Sequence, residues 1–183
     1  IKTIIEYDPI TGQYYAVVKV NHLTKFAVIS TNIEEKVIKT TINNSTVFIN
    51  GSYYLLPGKP YLDETVSRTL APLRFFSEAM GAEVEWVQAS QQVIIRKEDI
   101  KIVFTIGSKE VLVNNIKYTL DTAPILQAPG ITFAPIRFVC EMLGGRVDYN
   151  NTTREITITF DSITVVDLEQ GKGLNILQEQ YRT

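Results

Sequence analysis

An arginine and a glutamate four residues apart occur twice in this chain, as Arg74/Glu78 and again as Arg137/Glu141. On a helix that spacing puts both side chains on one face, where they have two uses. One is to handle an anionic ligand or a proton. The other is a surface ion pair in the weaker orientation, arginine before glutamate, worth only a few tenths of a kcal/mol. No base, nucleophile or metal ligand travels with either pair, so the structural use is the expectation. Each arginine also has an aromatic residue twelve positions on, Trp86 and Tyr149, over which its stem can lie.

Other chemistries are excluded by count. His22 is the one histidine, so a Ser-His-acid triad in each copy and a multi-histidine metal site are both out of reach. Cys140 is the one cysteine; no internal disulfide forms, and it reads as a small filler on a helix side. There is no CxxC, HExxH or phosphate loop, and Gly171–Gly173 reads as part of a flexible tail. The acidic residues form no calcium-loop pattern. A net charge of -2 without a basic cluster gives no nucleic-acid partner, and no apolar run reaches the ~18 residues that span a bilayer. No cofactor is expected. Tyr53, Tyr54, Tyr61, Trp86, Tyr118 and Tyr149 offer stacking platforms for sugars, although half of them sit at alternating strand positions where packing is the ordinary role.

The elements that carry the Arg–Glu pairs are themselves repeated. TLAPLRFFSEAMGAEVEW (Thr69–Trp86) returns as TFAPIRFVCEMLGGRVDY (Thr132–Tyr149), with eight of eighteen positions identical. Upstream, VFINGSYYLL (Val47–Leu56) matches VLVNNIKYTL (Val111–Leu120). Asn50-Gly51 supplies the positive φ angles of a two-residue hairpin turn, and Asn114-Asn115 does the same less ideally. A proline-bearing extended stretch follows. The period then changes from two to 3.6: Pro72 and Pro135 suit the first helical position, and Gly81 and Gly144 the left-handed stop. Leu73, Phe76 and Met80 make one apolar face and Arg74, Ser77 and Glu78 the other, with Ile136, Val139 and Leu143 repeating the apolar set. Strand alternation resumes after each glycine. The fold class expected is α+β, two tandem ββ-α-ββ units in which one short helix covers a small antiparallel sheet.

Together, FINGSYYLL, SRTLAPLRFFSEAMGAEVEW and QQVII in the first copy, with their counterparts in the second, resemble the copper amine oxidase N-terminal-like domain, the stalk domain of bacterial surface proteins. The second copy departs from the pattern in having Ile131, not arginine, before its threonine. The resemblance implies no oxidase chemistry, because copper and the quinone cofactor belong to a separate domain in those enzymes. One histidine cannot make their copper site, and no Asn-Tyr-acid tripeptide is present. It implies a non-enzymatic module of exported bacterial proteins used as spacer, stalk or adhesion unit.

Residues 1–35 differ in kind. Tyr7–Ser30 resembles the closing strands of a surface-layer β-sandwich module, with strands expected at Lys2–Tyr7, Gln13–Val20 and Phe26–Ile29 around an Asp8–Gly12 turn. Two or three strands hold no core alone, so this segment packs on the repeats, completes a module missing from this chain or pairs with another subunit. The organisation expected is therefore a β-rich segment 1–35, repeats 36–98 and 99–161, and a strand with a tail at 162–183. No signal peptide is read, and a start at Ile1 suggests a mature form or an excised fragment. The function expected is a non-catalytic building block of an extracellular cell-surface stalk, layer or filament, joined by strand pairing or end-to-end packing. Its partners would be copies of itself or neighbouring surface-protein domains. The alternative is a polysaccharide- or cell-wall-binding module.

Overall fold

The computed structural model describes residues 3–8, 13–18, 29–167 and 172–174, with side chains over 34–162. The chain divides into two units, one formed by Ile1–Glu35 with Asp161–Thr183 and the other by Lys36–Phe160. In the first, β1 (Thr3–Asp8) and β2 (Gln13–Val18) form an antiparallel hairpin. Tyr14 and Tyr15 of β2 then pair with Thr31 and Ser30 at the start of β3 (Ile29–Thr41). The expected Asp8–Gly12 turn and Phe26–Ile29 strand lie, apart from their end residues Asp8 and Ile29, outside the described residues.

The second unit runs through the same sequence of elements twice. After the end of β3 come the hairpin β4 (Thr46–Ile49) and β5 (Ser52–Leu55), the short strands β6 (Tyr61–Asp63) and β7 (Arg68–Pro72), and helix α1 (Leu73–Ala79). Strands β8 (Glu83–Val87) and β9 (Gln92–Lys97) complete the first pass. The second pass is β10 (Ile100–Thr105), β11 (Glu110–Val113), β12 (Ile116–Thr119), β13 (Ile125–Gln127), β14 (Ile131–Pro135), α2 (Ile136–Met142), β15 (Arg146–Asn150) and β16 (Glu155–Asp167). Beyond it, β17 (Lys172–Leu174) pairs with the end of β16 in the segment expected to be tail. The hairpin turns are as the sequence required: Asn50 and Gly51 have φ of 46° and 92°, Asn114 and Asn115 of 50° and 66°.

Pairing interlocks the two passes. One sheet runs β12-β11-β10-β9-β8, so its first three strands come from the second pass and its last two from the first. The other runs β5-β4-β3-β16-β15 and reverses the contributions. A third sheet, β13-β14-β7-β6, joins the two passes at its centre, where Ala134 faces Ala71 between Phe133–Pro72 and Pro135–Leu70. Residues 36–98 and 99–160 therefore share all three sheets. They also share one core: Ile38, Phe76 and Ile95 from the first pass are buried with Phe104, Val139 and Ile158 from the second.

The α+β expectation is corrected on two counts. Each helix has only seven residues, and antiparallel strands make up most of the unit, so the protein is all-β in character. The ββ-α-ββ description also missed a leading strand in each pass (β3, β10) and the strands β6, β7, β13 and β14 in the proline-bearing stretches. The leading strands carried a legible signal: Ile38, Thr40 and Ile42, like Ile102 and Phe104, alternate buried with exposed or half-buried neighbours.

Candidate functional site

Helix α1 begins where β7 ends. Pro72 is the last strand residue and the helix cap, with φ -57° and ψ 104°, one position earlier than its type suggested; Pro135 repeats the geometry before α2. The helix stops are also the same. Gly81 has φ of 82° and donates to the Glu78 carbonyl (2.9 Å), while Ala82 donates to that of Ser77 (2.9 Å). Gly144 has φ of 87°, and with Gly145 it makes the equivalent bonds to Glu141 (3.1 Å) and Cys140 (2.8 Å). This paired pattern satisfies helix-end carbonyls that would otherwise lack partners, and the left-handed residue it needs is cheapest as glycine.

On the exposed face, Arg74 Nη1 donates to Glu78 Oε1 at 3.1 Å and to the Val84 carbonyl at 2.6 Å. Arg137 Nη1 does the same toward Glu141 Oε1 (3.4 Å) and the Val147 carbonyl (2.5 Å). Each arginine thus ties its helix to the next strand, β8 or β15. Ser77, expected beside them on the outer face, is buried instead, as is Cys140 at the matching position. The Ser77 hydroxyl donates to the Leu73 carbonyl at 2.9 Å, which removes the cost of burying it. Burial pushes the Cys140 thiol far up, so it stays protonated and unreactive.

Four of the expected residues, Pro72, Arg74, Glu78 and Trp86, meet at a groove of about 710 Å³. Its apolar walls come from Leu55, Phe75, Leu126 and Ile131, none of which the sequence marked as a site residue. Trp86 is half-buried and donates from Nε1 to Gln88 Oε1 at 2.8 Å, so Gln88 adds a polar group at the rim. Pro135, Arg137, Glu141 and Tyr149 stand at the matching places around α2, where the surroundings have diverged. At the places that Pro57 and Ile131 take beside α1, the surroundings of α2 have Asp121 and, from the first pass, Arg68, joined as an ion pair. Phe138, the counterpart of Phe75, packs edge-on against Phe104 and Tyr118 at 6.2 and 6.1 Å. At the place of Phe104, β3 has Thr40, whose hydroxyl donates to the Thr46 carbonyl (3.0 Å).

The model of the copper amine oxidase N-terminal domain matches residues 48–158 in a single span that runs through both passes. The chain belongs to that family. In the oxidases this N-terminal domain is not the catalytic one. Among the described residues no three His, Cys, Asp or Glu side chains come together; His22 lies outside them. A protein of Brevibacillus choshinensis named protease inhibitor is 26% identical over 147 residues, 80% of this chain and 41% of that protein. The chain thus spans about two-fifths of that relative's length. No solved structure matches. Among the described residues no helix is long and apolar enough to cross a membrane.

Proposed function

We propose that this chain is a non-catalytic building block of an extracellular bacterial surface assembly, joined to its neighbours by strand pairing. The observation that supports this reading is the β5 edge of the β5-β4-β3-β16-β15 sheet. All four of its residues, Ser52–Leu55, are exposed, and three of them are large and apolar or aromatic. Such an edge is a template for another strand. Ile42, one residue past β3, donates to the carbonyl of Arg154, one residue before β16, so these neighbouring strands run antiparallel and the chain leaves the unit beside the point where it entered. The test is sedimentation and electron microscopy of the purified chain and of a form lacking residues 1–30. Oligomers or fibres support the reading, and a monomer at every concentration overturns it. Retained assembly in the shortened form places the joint outside residues 1–30.

The groove favours a second reading, a glycan-binding module, because Trp86 stands there with Gln88, Arg74 and Glu78 as polar neighbours. It requires retention of the chain on an insoluble polysaccharide and loss of that retention in Trp86→Ala. The name of the Brevibacillus relative adds a protease to the partners that an open strand edge can fit.

A further inference from the structure

We propose that β5 is a self-pairing edge: two copies of the chain join antiparallel through it, about a two-fold axis at Tyr54, with Tyr53 of each copy opposite Leu55 of the other. The inference rests on the strand-pairing reading above and names the surface and the partner.

The parity of the backbone hydrogen bonds sets the register. Across the two-residue turn Ser52 faces Ile49, and Tyr54 faces Val47 two residues on. Leu56 then donates to the Ser45 carbonyl at 2.7 Å. In an antiparallel ladder alternate residues bond to one neighbour, so Ser52, Tyr54 and Leu56 bond inward. Tyr53 and Leu55 turn their N–H and C=O groups outward. Two such edges can exchange bonds only where outward residues meet. Tyr53 against Leu55 of the other copy satisfies this twice, once on each side of Tyr54, and closes as a symmetric pair.

The side chains suit the same register. Tyr53 and Leu55 are 75% and 78% exposed, and they lie on one face of the strand. Pairing sets an aromatic ring beside an aliphatic chain on that face twice over, a favourable cross-strand combination. The edge bears no charge, so a neutral copy of itself meets no repulsion and leaves no ion desolvated.

The edge at β12 shows the contrast. It has the same turn, the same parity and a matching Leu120 bond to the Lys109 carbonyl (2.8 Å). Its outward residues are Lys117 and Thr119, in the places of Tyr53 and Leu55. Lys117 is already paired with Glu110 at 2.9 Å. Self-pairing there would set two lysines beside the axis, one on each side, and a lysine is the usual guard of a sheet edge. Of two edges built on one plan, one is guarded and the other open.

A cysteine at the axis tests this directly. Residues facing each other in a non-hydrogen-bonded antiparallel pair have Cα atoms about 4.5 Å apart, within disulfide range. Tyr54→Cys is expected to become mostly covalent dimer under mild oxidation, with Tyr118→Cys, its β12 counterpart, remaining monomer. The buried Cys140 does not compete. No cross-link in Tyr54→Cys, or equal cross-linking of both variants, overturns the proposal. Folding of each variant is checked by cooperative thermal unfolding. Sedimentation of Leu55→Lys, which changes no residue at the axis, gives an independent reading: its self-association should fall at least tenfold. If the wild-type chain assembles and Leu55→Lys assembles equally, the β5 edge is wrong while the building-block reading stands. If the wild-type chain is monomeric throughout, both fall. If cross-linking appears only when another protein is added, the occupant is a foreign strand and the self-pairing claim is overturned.

Discussion

Arg74 and Arg137 each use one nitrogen twice, for a glutamate one turn along the helix and for a main-chain carbonyl ten residues on. The two contacts differ in weight. The ion pairs are exposed and in the weaker orientation, whereas the bond to the carbonyl holds two elements together. Arg74→Ala should therefore cost about 1 kcal/mol in chemical denaturation, and Glu78→Gln no more than a few tenths. Equal losses would show that the ion pair, not the tie to β8, carries the stability. The Arg–Glu pairing was legible from its spacing, because side chains four apart on a helix must be neighbours. The carbonyl partners were not, since a backbone acceptor has no residue type to mark it. Ser77 was misplaced for a related reason. Its polarity argued for the outer face, but a short helix enclosed by strands of both passes buries a wider arc than a single stripe, and its hydroxyl finds a partner within its own helix.

At the scale of elements, the helix stops depend on one backbone conformation each. At Gly144, φ is 87° and a Cβ would meet nothing within 4 Å, so any substitution pays for the left-handed backbone alone. Gly144→Ala should cost about 1–2 kcal/mol, Gly144→Asn less and Gly144→Val more, as measured by shifts in the denaturation midpoint at constant slope. Asparagine costing as much as valine would contradict the conformational account. Turns and helices were readable because Asn-Gly, proline and glycine make local demands that only certain residues meet. The strands β6, β7, β13 and β14 were not. They have three to five residues, too few to show a period, and β7 and β14 find their central partners in each other, more than sixty residues apart. The groove was missed likewise: Trp86 and Arg74 stood out, but Leu55, Leu126 and Ile131 reach it only through the pairing of the sheets.

The whole of Lys36–Phe160 is held by strands that each pass lends to the other. Expressed alone, residues 36–98 keep β8 and β9 without β10, and β3 without β16, so neither of these sheets can form. Two or three unsupported strands are marginal in water. We expect residues 36–98 and 99–160, made separately and kept dilute, to show no cooperative thermal transition, and to recover one as a one-to-one complex on mixing. A monomeric fragment that unfolds cooperatively would refute the shared-core description. The identity between Thr69–Trp86 and Thr132–Tyr149 was plain in the sequence, yet it could not reveal this exchange. A repeated sequence is silent on whether its copies complete themselves or each other.

That exchange also constrains how a gene for such a protein can lengthen. In a string of self-sufficient beads, recombination may add or remove one at a time. Here a lone extra pass would arrive with half of each sheet missing, and would need a second pass or another molecule to finish it. Inheritable changes in length should therefore come in steps of two.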